Sequence, residues 1–258
     1  IYFITKLKKK YNIKNLGCRD SVRSGIDWFF KDNQFGIILE DDCLPSKSFF
    51  EFCNKINEIY KNNEKIYAIS GSNFYNKETK YDYFYSKYNH CWGWATWKRA
   101  WKYYDNNLTF LNKFTQSYQW KLLHENKTER RFWEKIFNRV KEKKIDSWAY
   151  AWTYSVWKKN ALTVIPKKNL IKNIGFDISA TNSIKNEKKH LKTYLTVFKK
   201  KFKRPPILTP LKSNDIYVFN NHFRGKYALW PWIIIKVLKL AISNPKIFII
   251  KTKRALLF

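Results

Sequence analysis

The chain has 258 residues, of which 45% are hydrophobic and 19% aromatic, and it carries a formal net charge of +31. This length and apolar content suffice for the core of one large domain and argue against intrinsic disorder. The charge favours anionic partners, among them nucleic acids, acidic lipid headgroups, sugar nucleotides and lipid-linked diphosphates, without distinguishing between them.

The N-terminal half alternates between predicted helices and strands. A helix is expected from Asp20, which can cap it, and residues 35–39 form a short apolar run typical of a buried strand. Pro45-Ser46 opens a second helix, and Ile66–Ser70 is a second buried strand. This alternation predicts a βαβ unit, and with it an α/β fold whose mostly parallel sheet is flanked by helices.

Further elements follow in the next hundred residues. A short strand is predicted at Tyr83–Ser86, and a helix at residues 95–104. Charged helices are expected over residues 128–144, another helix from Ser147, and a strand at residues 162–165 that ends at a proline.

The composition changes near residue 185, so we predict a main domain over residues 1–185 and a basic helical C-terminal appendage over residues 186–258. Residues 227–258 combine aromatic, aliphatic and basic side chains, and such a segment is expected to lie on anionic membranes; packing on the main domain is the alternative. No apolar run is long enough to cross a bilayer. The chain begins at Ile1 and contains no methionine, which suggests that it is N-terminally incomplete.

Three adjacent acids, Glu40, Asp41 and Asp42, follow the first predicted strand. Adjacent carboxylates repel one another unless a positive charge neutralises them, and Mg²⁺ or Mn²⁺ binds carboxylate and phosphate oxygens well. In open α/β sheets, ligands bind at the carboxyl ends of the strands. The run therefore predicts a cation and diphosphate site, with a solvated turn before a helix as the alternative.

A tryptophan-rich run is the second candidate for chemistry. Trp92, Gly93 and Trp94 suit a sugar, because aromatic rings stack on its apolar C–H faces and the glycine lets a ligand approach the backbone. The alternative is a core helix with Trp97 and Trp101 on one face.

Several ordered blocks of the sequence resemble a bacterial family of glycosyltransferases with the GT-A (Rossmann-like) fold, which is similar to N-acetylglucosaminyltransferase I. The resemblance spans residues 15–182 and is carried by residues 15–18, 24–30, 36–45, 69–73, 92–97 and 166–176. It implies inverting transfer from a nucleotide-sugar donor, UDP-linked, to a saccharide or lipid-linked acceptor in the synthesis of surface polysaccharide or lipopolysaccharide. It also implies Mn²⁺ or Mg²⁺ as cofactor.

The resemblance assigns roles to individual residues. Asp42 is expected to bind the cation, and Asp41 to lie near the nucleotide. The further expected contacts are to the donor from Glu40 and Gly71 and to the acceptor from Trp92, Gly93, Trp94 and Trp148.

The chain departs from the family at two places. Only residues 1–14 precede the first matching block, where the family has further strands and a nucleotide-base contact. The family's base, the acid of a Trp-Asp-Tyr-Gln-Trp block, is replaced by Ala149. Asp146 is the candidate substitute, and it is a worse base if it caps a helix. The sequence therefore predicts an enzyme that binds donor but transfers sugar weakly, with a catalytically inactive GT-A domain as the alternative.

Two expectations concern the surroundings of the protein. No nucleic-acid-binding module is recognisable, so nucleic acid is not an expected partner. The four cysteines form no CxxC pair and lack zinc-ligand spacing, which favours reduced thiols and a cytoplasmic protein, peripheral at the inner face of the plasma membrane.

Overall fold

A computed structural model describes residues 6–75, 77–175 and 202–225, together with residue 238 and residues 241–245. The expected alternation of helices and strands is present. The elements in chain order are α1 (Gly17–Asp32), β1 (Phe35–Ile38), β2 (Cys43–Pro45), α2 (Lys47–Tyr60), β3 (Ile66–Ser70), β4 (Tyr83–Ser86), β5 (Trp94–Trp97), α3 (Lys98–Trp101), α4 (Leu111–Thr115), α5 (Tyr118–Leu123), α6 (Lys127–Lys141), α7 (Trp148–Lys158), β6 (Leu162–Pro166), β7 (Ile171–Asn173), α8 (Lys212–Tyr217) and a π-helical turn (Val218–His222).

The main sheet has five strands in the order β1-β5-β3-β6-β4, and β2 pairs with β7 in a separate two-stranded sheet. The pair β3–β6 is parallel, whereas β1–β5, β3–β5 and β4–β6 are antiparallel. The mixed α/β class with flanking helices is thus confirmed, but the expectation of a mostly parallel sheet is wrong. The strands β1, β3 and β6 do run in one direction, and β5 lies between β1 and β3.

The insertion of β5 explains this error. Residues 95–104 were expected to form one helix, but Trp94–Trp97 is a strand buried along its whole length, and only Lys98–Trp101 is helical. The side chains of β5 alternate between the two faces of the sheet, with Trp94 in one core and Ala95 and Trp97 in the other. A central strand buried on both faces is continuously apolar, so its periodicity does not separate it from a buried helix.

Two hydrophobic cores cover the two faces of the sheet. The first contains most of the tryptophans and packs α1, α6 and α7 against β3 and β5. The second packs α2 against the other face, with Phe49, Phe52 and Ile56 fully buried. Phe202, from the described part of the predicted appendage, joins this second core with its ring 5.8 Å from that of Phe52.

The helix starts differ from the expectation. Asp20 lies inside the first turn of α1, and the carboxylate of Asp146 accepts hydrogen bonds from the backbone N–H groups of Cys18 (2.9 Å) and Arg19 (3.2 Å). Ser147 caps α7 by accepting from the N–H of Tyr150. Asp146 is therefore engaged at the start of α1 and does not cap its own helix.

The stretch from Lys203 to α8 lies beside the edge strand β4. Leu211 N–H donates to the carbonyl of Tyr85 (2.8 Å), and Asp82 N–H donates to that of Lys203 (3.0 Å). The predicted membrane segment, residues 227–258, falls almost entirely outside the described residues. Within the part of the chain that the structure describes, no helix has the length and apolar content needed to cross a bilayer.

Candidate functional site

The acid run forms a tight turn between β1 and β2. Cys43 N–H donates to the carbonyl of Glu40 (3.0 Å), so the chain reverses within four residues. The turn lies beyond the carboxyl end of β1, level with the end of β3 on the other side of β5, because Trp94 of β5 pairs with the last residue of each strand. The three side chains diverge from this turn into different surroundings.

Asp42 faces the small sheet formed by β2 and β7. The pairing brings Asn173 beside it, and Asn173 Nδ2 donates to Asp42 Oδ2 (3.1 Å). Gly175 N–H donates to Asn173 Oδ1 (2.8 Å), which fixes the orientation of that amide. A Cβ on Gly175 would stand 2.5 Å from Asp42 Oδ2, so the backbone can approach the carboxylate this closely only with glycine at that position.

The second oxygen of Asp42 lies against a thiol. The Sγ of Cys43 is 3.3 Å from Asp42 Oδ1. Burial, followed by this contact and the charge of Asp42, raises the pKa of Cys43 to about 12, so the thiol remains protonated and donates. The side-chain donors to Asp42, Cys43 and Asn173, are both neutral, so neither compensates the negative charge of the carboxylate.

Glu40 points into the protein, whereas Asp41 is exposed at the tip of the turn. The indole N–H of Trp148 donates to Glu40 Oε1 (3.1 Å), and the Trp148 ring stacks on that of Trp94 at 5.4 Å. Burial raises the pKa of Glu40, the hydrogen bond from Trp148 opposes this, and the neighbouring Asp42 and Asp41 add to the rise. Glu40 therefore connects the turn to the tryptophan core.

The residues around Asp42 fit a magnesium or manganese ion that is held by only one or two protein carboxylates. Among the described residues, no group of three or more His, Cys, Asp or Glu side chains is gathered as a set of metal ligands. Mg²⁺ is commonly bound by one or two carboxylates, with the phosphates of the substrate and water completing its coordination. The oriented and partly exposed carboxylate of Asp42 suits that arrangement.

The two glycines predicted to contact ligands are required by packing. Gly93 has φ +62°, and a Cβ there would stand 2.4 Å from the side chain of Ile171 in β7. Gly71 N–H donates to the carbonyl of Gly93 (2.8 Å), and a Cβ on Gly71 would also meet Ile171, at 2.5 Å. The expectation that a ligand approaches the backbone at Gly93 is therefore wrong, because Ile171 of β7 fills that space.

The three tryptophans predicted at the acceptor site separate into two groups. Trp94 and Trp148 are buried; Trp148 reaches the site through its hydrogen bond to Glu40, and Trp94 stacks on the Trp148 ring. Trp92 is partly exposed, and its ring lies 5.3 Å from that of Phe74 and 6.1 Å from that of His222. Of the three, Trp92 alone retains a surface for a sugar.

The candidate bases do not present a free carboxylate. Ala149 lies in the first turn of α7 against the aromatic core, and its carbonyl accepts from Thr153 Oγ1 (3.0 Å). Asp146 is exposed, but both of its oxygens accept backbone N–H groups of α1. With both oxygens already engaged, the Asp146 carboxylate is poorly placed to accept the proton of an acceptor hydroxyl.

Sequence reasoning did not find a pair of histidines beside Trp92. The rings of His90 and His222 lie 4.5 Å and 4.0 Å from that of Phe74, and 5.6 Å from each other. Burial lowers the pKa of His222 to about 4, and burial together with His222 lowers the pKa of His90 well below its usual value, so both are neutral at pH 7. The two residues are far apart in the chain and belong to no motif.

Comparison with known proteins adds no assignment, because no protein-family model matches the chain and no curated protein matches it significantly.

Proposed function

We propose that this protein is a GT-A-type glycosyltransferase that transfers a sugar from a UDP-linked donor to a saccharide or lipid-linked acceptor in surface polysaccharide or lipopolysaccharide synthesis. The observation that supports this best is the acid turn. It combines a partly exposed carboxylate after the end of a strand, oriented by Asn173, with an exposed second acid one residue earlier.

Each residue of the turn has a distinct task in this proposal. Asp42 holds the divalent cation, and Asp41 faces the nucleotide from the exposed tip of the turn. Glu40 keeps the turn in register with the tryptophan core through Trp148. The cation, when bound, neutralises the negative charge that develops on the leaving diphosphate. Trp92 offers a ring for stacking the acceptor sugar.

One observation favours a second candidate, a domain that binds donor with little or no transfer. Deprotonation of an acceptor hydroxyl needs a base within hydrogen-bond reach. Ala149 has no such group, and the Asp146 carboxylate is already engaged by two backbone N–H groups. Both candidates bind the nucleotide sugar in the same way and differ in turnover.

The proposed location is the cytoplasmic face of the plasma membrane, where the basic, aromatic and aliphatic residues of the segment 227–258 contact anionic lipids. Basic residues near an acidic surface contribute ~1 kcal/mol each. Co-sedimentation with anionic liposomes at low salt tests this: the full chain should pellet and a chain ending at Lys226 should not. Equal pelleting of the two would contradict a membrane role for residues 227–258.

Thermal unfolding with UDP, with and without Mn²⁺, tests the acid turn directly. A ligand present at ~100 times its Kd stabilises the folded state by ~2.7 kcal/mol. We expect UDP with Mn²⁺ to raise Tm more than either alone, and Asp42→Asn to abolish that difference. Asp32→Asn, which removes an exposed carboxylate of α1, is the matched control and should respond like the unaltered chain. An unchanged response of Asp42→Asn would refute the cation assignment.

A further inference from the structure

A cavity lies at the opposite end of the main sheet from the acid turn. Its volume is about 790 Å³, within the range of small-molecule sites. It is lined by Lys65 and Leu162, at the starts of β3 and β6, and by Lys87, which directly follows β4. The acid turn follows the other end of β1, so the two sites are separated by the length of the strands.

The mouth of this cavity is apolar and exposed. The side chains of Tyr118, Leu122 and Ile216 line it and are 74%, 59% and 61% exposed. Tyr118 and Leu122 are four residues apart on α5 and therefore share one face of that helix. Exposed apolar side chains gathered around a cavity are typical of a ligand site.

The floor of the cavity is ionic and buried. Lys87 Nζ lies 2.9 Å from Glu129 Oε1 and donates to the carbonyl of Leu123 (2.9 Å). Tyr88 OH also donates to Glu129, and His124 Nδ1 lies 3.3 Å from the same carboxylate. The ammonium of Lys87 and the carboxylate of Glu129 are thus committed to each other.

Asp215, the other acid on the floor, has only neutral donors. Its oxygens accept from Ser86 Oγ (2.5 Å), Asn214 Nδ2 (2.9 Å) and the backbone N–H of Lys87 (3.3 Å). Among the described residues, no cationic side chain forms an ion pair with it. Burial raises its pKa to about 6 despite the charge of Lys87, which is the signature of a carboxylate that lacks a compensating cation.

The sign of the missing charge follows from this floor. Lys87 and Glu129 cancel, so Asp215 leaves the floor with one net negative charge. On the rim, Lys212 is paired with Glu125 (2.6 Å). Lys65 also lines the cavity, but it is exposed to solvent, so Asp215 remains the buried charge without a counter-charge. A cation would supply what Asp215 lacks.

We propose that this cavity binds a small organic amine, with its ammonium group at Asp215 and its apolar body against Tyr118, Leu122 and Ile216. The site is independent of the proposed sugar transfer, since none of these residues touches the acid turn. Asp42→Asn should therefore leave amine binding unchanged, so a failure of either proposal is distinguishable from a failure of the other.

Three probes of one shape test the charge requirement. We would titrate the full chain with phenethylamine, 2-phenylethanol and phenylacetate and measure each Kd by ligand-observed NMR. The amine should bind at least ~10-fold more tightly than the alcohol, and the acid more weakly than both, since tenfold corresponds to one modest ionic contact. Equal affinities of the amine and the alcohol would overturn the proposal without any variant.

Two variants separate the floor from the mouth. Asp215→Asn should reduce the preference for the amine over the alcohol to within ~2-fold, because it removes the charge and keeps the shape. Leu122→Ala, at an exposed position that does not threaten folding, should weaken amine and alcohol by the same factor of ~3–10. Asp32→Asn is the matched control and should change neither. A retained preference in Asp215→Asn, or undiminished binding in Leu122→Ala, would place the amine elsewhere.

Discussion

Two groups of carboxylates lie at opposite ends of the sheet and behave in opposite ways. In the acid turn, Glu40, Asp41 and Asp42 are adjacent in sequence, yet the fold spreads them apart and leaves Asp42 with neutral partners. Around Lys87, by contrast, the fold gathers charges from distant parts of the chain. Glu129 comes from α6, and it is buried with its own cation at 2.9 Å.

The pKa values express this difference. Burial raises the pKa of Glu129, but the contact with His124 and the charge of Lys87 outweigh it and lower the pKa to about 2. For Glu40, burial and the neighbouring acids raise the pKa, and a single indole N–H opposes them. A carboxylate paired with its own cation, such as Glu129, supports the fold, while a carboxylate without one, such as Asp42 or Asp215, is available to a ligand.

The largest expected effect comes from placing a carboxylate at Ala149, where the proposed sugar transfer lacks a base. Ala149→Asp should raise turnover by ~10²–10⁴-fold, the usual contribution of general-base catalysis, with little change in donor affinity. The measurement is UDP release from a panel of UDP-sugars with candidate acceptors. Ala149→Asn, which has the same size but no basic oxygen, is the matched control and should stay slow. Strong transfer by the unaltered chain that Asp146→Asn abolishes would show instead that Asp146 is the base.

Breaking the buried ion pair between Lys87 and Glu129 should lower the stability of the fold. Glu129→Gln leaves the buried ammonium of Lys87 without its counter-charge, and breaking a buried ion pair costs about 3–5 kcal/mol. Urea unfolding measures this loss. Glu51→Gln breaks an exposed pair with Lys55 on α2 and should change the free energy of unfolding by ~0.5 kcal/mol or less. Similar losses in the two variants would contradict the distinction between closed and exposed pairs.

Asp215 should make stability depend on pH in a direction opposite to that of Glu129. Its folded pKa of about 6 lies above the usual value, so its stabilising contribution is complete below pH ~4 and is lost as pH rises through ~6. The difference in unfolding free energy between Asp215→Asn and the unaltered chain should therefore shift in favour of the variant by up to ~3 kcal/mol between pH 4 and pH 8.

That difference isolates Asp215 from other groups that titrate in the same range. The pKa of the buried His124 is lowered to about 4, mainly by burial, so its contribution to stability is lost as pH falls from 6.5 towards 4. This loss is common to both chains and cancels in the comparison. A difference that stays flat from pH 4 to pH 8 would show that Asp215 is not perturbed by burial.

The smallest effect is expected on the stability of the ligand-free protein when Asp42 of the acid turn is neutralised. Asp42→Asn relieves repulsion from Asp41 and keeps a group that can hydrogen-bond, so the free energy of unfolding should change by less than ~1 kcal/mol. Urea unfolding in the absence of metal and nucleotide checks this. A loss as large as that of Glu129→Gln would mean that Asp42 is a structural residue.

The local sequence predicts those elements that depend only on neighbours within a few residues. The strands Ile66–Ser70 and Tyr83–Ser86 and the helix beginning at Trp148 lie where periodicity predicts them. Continuous apolar runs bounded by turns and an amphipathic repeat are local signals, because they depend on neighbours within a few residues. The position of the acid turn after β1 follows from the same kind of signal.

Tertiary structure decided everything that needs partners from distant segments. The strand β5 was read as a helix because its apolar run alone does not reveal that β1 and β3 enclose it. Asp146 was expected near its own helix and instead binds α1, 127 residues away along the chain. The pairing of Lys87 with Glu129 and the isolation of Asp215 likewise left no trace in the sequence. The order of residues determines local conformation and burial pattern, but the environment of a charge depends on which distant groups the packed chain brings within a few ångströms of it.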